Sequence, residues 1–186
     1  RRADLSGKDL SGKDLSRADL SGARLDDANL SRANLSRANF SSRANLGSAD
    51  LVYANLNEAN LTLANLSAVE LRGANLVGAN LSGANLMQAR LSFADLSGAD
   101  LTRANLFGAD LSSADLSGAV LSEADLRYAN LSKATLARAN LSEADLTWAE
   151  LKEAKLSHAD LSGAWLTWAL LGQARCDETT IWPEDL

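Results

Sequence analysis

Residues 94–106 read Ala94-Asp95-Leu96-Ser97-Gly98-Ala99-Asp100-Leu101-Thr102-Arg103-Ala104-Asn105-Leu106. Leu returns at every fifth place, with Ala two residues ahead of it and Asp or Asn between. On an α-helix five residues turn through ~500°, about 140° net, so the Leu residues would wind around the helix and no face would be buried. On a straight strand side chains alternate with period two, so an odd step throws successive Leu residues onto opposite faces. A short extended piece with a turn in every repeat satisfies the pattern. Ala and Leu, two apart, then point the same way, inward. With the Leu position written i, the turn falls at i+1 and i+2, where Ser, Gly, Asn and Asp bond locally or tolerate φ > 0.

The period extends outward over almost the whole chain. Leu5 to Leu35 and then Phe40 hold the central place, and one extra residue enters within Ser41-Ser42-Arg43. The count resumes at Leu46 and runs by fives to Leu171, followed by Cys176, Ile181 and Leu186. A chain that turns so regularly closes into coils, and coils stack into a solenoid.

The unit Ala-(Asp/Asn)-Leu-x-x, complete in Ala28-Asn29-Leu30-Ser31-Arg32 and Ala94-Asp95-Leu96-Ser97-Gly98, resembles the pentapeptide-repeat proteins over residues 3–175. The resemblance implies an all-β fold, a right-handed four-sided parallel β-helix with four repeats per coil. It then makes residues 1–186 one domain of about nine coils, a rod ~43 Å long at the strand spacing of a sheet. The Leu-centred repeat is most similar to bacterial, especially cyanobacterial, members.

The ends are expected to differ, because an open solenoid exposes pairing edges. Lys8 and Lys13 take inward places where Ala belongs, so residues 1–17 read as a frayed, solvated first coil. The tail 176–186 reads as a cap, with Ile181 and Trp182 covering the last Leu layer and Pro183 stopping the ladder. Cys176, at a central place, is expected to be a small buried hydrophobe. The extra residue near Ser42 is expected as a local bulge, with Phe40 filling a widened interior beside it. The chain opens with Arg1-Arg2 and not with Met, as a trimmed product would.

Composition narrows the function. One Cys excludes an internal disulfide framework, and one His (His158, at an outward i+2 place) leaves no multi-His centre. No run reaches the ~18 apolar residues of a membrane helix, and no signal peptide is visible, so no membrane insertion is expected. A soluble protein is expected, the cytoplasm ahead of the periplasm or thylakoid lumen. A Leu-filled rod offers no cleft for a nucleophile or base. Asp95 and Asp115, one coil apart, follow from the repeat itself. The expectation is no enzyme, no cofactor and no metal.

Charge is uneven. Residues 1–43 hold nine basic and six acidic residues, within a chain of net charge −6. The basic part has one aromatic, Phe40, so direct nucleic-acid binding is not expected. Outward pairs Arg37–Glu58 and Arg103–Glu123, and the column Glu70–Arg90–Asp110, read as register-setting ion pairs of small worth. A hydroxyl column from Ser21 to Ser162 has too little Thr to suggest an ice-binding face.

One face stands apart. Residues 20 apart should stack, which aligns Tyr128, Trp148 and Trp168 at i+2, with Met87 below Phe107 at i+1 and Trp165 nearby at i−1. Exposed aromatic clusters mark contacts. The candidate interface is therefore Met87, Phe107, Tyr128, Trp148, Trp165 and Trp168, binding a protein partner or a second copy. The expected function is a non-catalytic protein-interaction scaffold. The alternative, which the resemblance suggests, is an acidic DNA mimic that regulates DNA gyrase. Against it, the centres here are Leu where those proteins favour Phe, and most of the acids sit at i−1, where the repeat places them anyway.

Overall fold

A computed structural model describes residues 3–184. Four columns of parallel bridges run its length, each linking nine residues at i−1 places. The first face runs Asp4, Arg24, Asn45 and on to Trp165; the second runs Asp9, Asn29, Asp50 and on to Leu170. The third runs from Asp14 to Arg175 and the fourth from Asp19 to Ile181. Partners lie 20 residues apart except where an extra residue intervenes, so five-residue repeats supply one face each and four faces close a coil. Each face gives one bridging residue per coil. The sheet is thus a set of single-bridge ladders, and no longer strand forms among the described residues. The turns at both ends of every three-residue extended piece set that limit.

The hydrogen-bond accounting explains the repeat. In residues 94–98, Ala94 N–H donates to the Leu91 carbonyl at 3.0 Å, closing the turn. Asp95 N–H donates to Ala74 O (3.0 Å) in the preceding coil, and Leu96 N–H to Asp115 O (2.7 Å) in the next. Gly98 N–H donates to Ser117 O at 3.0 Å. The remaining donor, Ser97 N–H, finds the Asp95 side-chain Oδ1 at 3.0 Å. Every N–H of the repeat is paired, as buried backbone requires, and the i−1 Asp or Asn is there to supply an Asx turn. Asn85 serves Met87 N–H in the same way at 3.2 Å, and Asn105 serves Phe107 N–H at 3.0 Å. Thr62 and Thr102 turn their hydroxyls onto the same acceptors, Asn60 and Asp100.

Every i+2 residue from Gly7 to Gln173 has φ near +60°. With Arg43 at the lengthened corner, twenty-five residues other than Gly take this conformation. It costs an L-residue about 1–2 kcal/mol. From Gly7 to Glu153, outside the lengthened corner at Ser42-Arg43, the ladder bonds made from the same position hold it there. Corner side chains lean over the next coil. A Cβ added at Gly73 would stand 2.5 Å from Tyr53 Cε1, whereas one added at Gly118 meets nothing within 4 Å. Gly118→Ala is expected to cost about 1 kcal/mol, the backbone term alone. Gly73→Ala is expected to cost more at nearly the same φ, and Tyr53→Ser in that background to recover the difference. Thermal melts of these variants beside the parent check this.

Inside, the Leu column and its Ala neighbours are almost wholly buried from Leu20 to Ala164. The extra residue lies in a corner: Ser42 and Arg43 both take φ of 61°, and the ladder resumes at Asn45, which bridges Arg24. The expected bulge is therefore a lengthened turn between faces. Phe40 beside it is 0% exposed and is the largest fully buried side chain.

The ends correct three expectations. The first coil, expected to be frayed, is laddered: Leu5, Leu10 and Leu15 N–H groups reach Arg24, Asn29 and Asn34 carbonyls at 2.7–2.8 Å. Lys8 and Lys13 keep their side chains in solvent at its open end. Cys176 is exposed and not buried. Among the described residues Arg175 bridges only Lys155, and none of them forms a further layer over the thiol. Ile181 does not take a central place either. It bridges Asp160, 21 residues earlier, and is 51% exposed. One additional residue in the tail shifts the register, so that Thr180 turns inward and Trp182 packs against the core. Thr180 Oγ1 donates to Leu156 O at 3.0 Å, which satisfies a hydroxyl in an otherwise apolar position. Leu186, counted in the cap, lies outside the described residues.

Candidate interface

The first corner, between the first and second faces, carries Ala68, Gln88, Gly108, Tyr128, Trp148 and Trp168 in successive coils, as the bonds Gln88 N–H to Phe107 O and Trp148 N–H to Thr167 O require. Since corner side chains lean over the next coil, aromatics in consecutive coils must stack. Tyr128 and Trp148 lie with centroids 6.4 Å apart and planes 3° from parallel. Trp148 and Trp168 are 5.5 Å apart at 18°. Phe107, one place earlier on the first face, meets Tyr128 at 5.3 Å in a tilted arrangement. Such pairs contribute about 0.5–1.5 kcal/mol each beyond burial. The four rings form one ladder that remains open to solvent: Tyr128, Trp148 and Trp168 are 55%, 48% and 67% exposed.

Two members of the expected set stand outside this stack. Met87 is exposed one coil before Phe107 in the same column, without being part of the ring-to-ring series. Trp165, also exposed, bridges Asp145 on the first face and lines an open cleft of about 920 Å³ with Leu166, Ile181 and Trp182. Four further exposed apolar residues were not singled out by the sequence: Tyr53 and Phe93 on the second corner, Leu63 on the fourth and Leu170 on the second face. They were legible as outward places in the 20-residue register, but they form no consecutive column.

Charges frame the ladder. Arg127 Nη2 and Nε lie 2.7 and 2.8 Å from the two Asp125 carboxylate oxygens, and its Nε is 3.7 Å from Asp145. The same guanidinium sits 5.4 Å from the centre of the Phe107 ring. The bidentate pairing holds the Asp125 carboxyl below the usual carboxylate range and raises Arg127 further. Below the ladder, Glu70, Gln88, Arg90, Gly108 and Asp110 line a shallow groove of about 380 Å³. Arg90 pairs with Glu70 at 2.9 Å. The expected alternation stops there, since Asp110 has no cation within 4.0 Å among the described residues. The other expected pairs form, Arg37–Glu58 at 2.7 Å and Arg103–Glu123 at 2.8 Å, all between exposed side chains.

His158 is exposed but tied. Asp177 accepts from His158 N–H (3.2 Å), Thr179 N–H (3.1 Å) and Thr179 Oγ1 (2.6 Å), and Thr179 Oγ1 also meets His158 Nδ1. The Thr179 hydroxyl, ahead of the other donors, holds the Asp177 carboxyl well below its ordinary range. This cluster fastens the tail to the last coil. Asp95 and Asp115 bridge each other through the backbone, and each spends a carboxylate oxygen on its own turn. Among the described residues no helix is long and apolar enough to cross a membrane.

The chain matches the pentapeptide-repeats family in eight copies, over residues 1–41, 42–76, 64–103, 104–142 and 136–173. No curated protein matches it. Among solved structures it is similar to HetL, a pentapeptide repeat protein involved in heterocyst differentiation regulation from the cyanobacterium Nostoc sp. strain PCC 7120. Identity there is 36% over 94% of this chain and 87% of HetL, with a TM-score of 0.65. It is also similar to full-length QnrB1, a plasmid-mediated fluoroquinolone resistance protein, at 21% identity over 95% of this chain and 92% of that one, with a TM-score of 0.63. The second likeness is one of fold. With the ladder geometry, the repeat and these matches in agreement, the chain belongs to the pentapeptide-repeat family and has its quadrilateral β-helix.

Proposed function

We propose that the protein is a non-catalytic interaction scaffold whose contact surface is the aromatic ladder Phe107, Tyr128, Trp148 and Trp168. The stacked and exposed rings carry this reading. A monomer that needed only to shield its Leu column would not leave three consecutive large aromatics about half open or more. Trp and Tyr are the side chains that most often dominate interface energies. The role in regulation described for HetL supports a regulatory contact here too.

The test is capture of partners from source lysate by the wild-type chain and by a Trp148→Ser/Trp168→Ser variant whose fold has been checked by circular dichroism. A partner retained by the wild type and lost from the variant is expected. Identical captures would move the interface elsewhere on the rod. The alternative, gyrase regulation by DNA mimicry, has less support, because the i−1 carboxylates are already accounted for by turn formation. No change in gyrase supercoiling on adding the protein is the expected result.

A further inference from the structure

Resting on that reading, we propose that the ladder and the groove below it receive a basic, arginine-bearing segment of a partner protein. Three features of the first corner converge on this chemistry.

The first is the ring series itself. Aromatic faces attract cations, more so the planar guanidinium that stacks on them. The second is charge. The columns bordering the corner carry Asp110, Asp125, Asp145, Glu70 and Glu150 against Arg90 and Arg127. Asp110 and Glu150 have no cationic partner within 4.0 Å among the described residues. Lys152, two places beyond Glu150, lies toward the next corner. The third is a template within the molecule. Arg127 lies over the Phe107 ring while gripping Asp125 and reaching toward Asp145. A guanidinium held between a ring and carboxylates is therefore a geometry this corner already stabilises. Trp148, farther along, has Asp145 and Glu150 beside it in the bordering columns, whereas Trp165 and Leu170 stand there beside Trp168, and no guanidinium of the described residues lies over either ring.

The groove gives the segment a direction. Gly108 ends the groove at the foot of Tyr128, so a chain lying along the corner passes from Ala68 and Gln88 onto the rings without crossing a bulky side chain. An acidic segment would meet carboxylates that no cation neutralises. A nucleic-acid strand, which would also stack on the rings, would meet the same repulsion through its phosphates.

Isothermal titration of the full chain with an Arg-Gly repeat peptide, a Glu-Gly repeat peptide and oligothymidylate tests the proposal. Binding of the Arg-Gly peptide alone is expected. It should weaken about tenfold or more in Trp148→Ala/Trp168→Ala, as loss of a stacked cationic contact implies. It should also weaken in Asp110→Asn/Glu150→Gln, which leaves the rings intact. Unchanged affinity in the Trp variant, equal binding of the Glu-Gly peptide or oligothymidylate, or no binding of the Arg-Gly peptide would each overturn it. If lysate partners still depend on Trp148 and Trp168 but the Arg-Gly peptide does not compete with them, the scaffold reading stands and the arginine-bearing partner falls.

Discussion

Phe40→Ala is expected to cost about 3–5 kcal/mol of folding stability, more than any other single truncation in the rod. Phe40 is wholly buried beside the lengthened corner at Ser42-Arg43, where the coil is one residue longer, and is the largest of the fully buried side chains. Leu101→Ala, at mid-rod, is expected to cost about 2–5 kcal/mol, because Leu101 is 0% exposed between two complete coils and the ladders resist collapse into the void. Leu10→Ala should cost clearly less, since Leu10 is only partly buried. Phe40→Leu separates volume from aromaticity: if the corner does widen the interior, Leu leaves a residual void and a measurable loss. Urea denaturation of the four variants measures these differences. Equal losses at Leu10 and Leu101 would contradict the one-dimensional packing.

The opposite change is expected to be as damaging. Ala104→Leu should lose about 1–3 kcal/mol by overpacking, and Ala104→Leu with Ala124→Leu, one coil apart, should lose more than the two singly. The inward i−2 column is Ala at every place from Ala74 to Ala164, each almost fully buried. A larger residue just before that run shows how little room there is. Val69 N–H lies 3.3 Å from Leu66 O, against 3.0 Å for the turns closed by Ala64 and Ala74 on either side, so two extra methyl groups already accompany a looser turn. Leu reaches one carbon farther than Val, into an interior packed without spare volume. Calorimetric melts of single and double variants check the sign and the coupling.

Much of this was legible in the sequence for a simple reason. A period of five is incompatible with both regular elements, so the period alone dictated extended pieces and turns, and Leu and Ala fell inward as expected. The number of sides came from family resemblance and not from spacing. The partner of the turn donor is not legible: in the pattern Asp95 or Asn105 is only a repeat preference, and the geometry puts its oxygen on the N–H two residues later. The tail is poorly legible because the repeat decays there. Without Leu and Ala as markers, the extra residue before Ile181 leaves no trace in the pattern, and the count by fives puts Ile181 inward although it bridges and stays exposed. The aromatic stack was readable from the 20-residue register, since that register fixes which corners coincide. The same register puts Arg127 one coil beyond Phe107, but the grip of Arg127 on Asp125 is not legible, because a side chain's direction within its own coil has no periodic signature.

Ladder bonds run from coil to coil, along the length of the rod, while each turn bond stays within its own coil. A pull on the two ends therefore loads the ladders of one junction at a time. The coil at an end would peel away before the next is strained, and each event would release about 70 Å of extended chain for about twenty residues. Under tension the molecule would lengthen in equal steps, as a spring that yields one loop at a time.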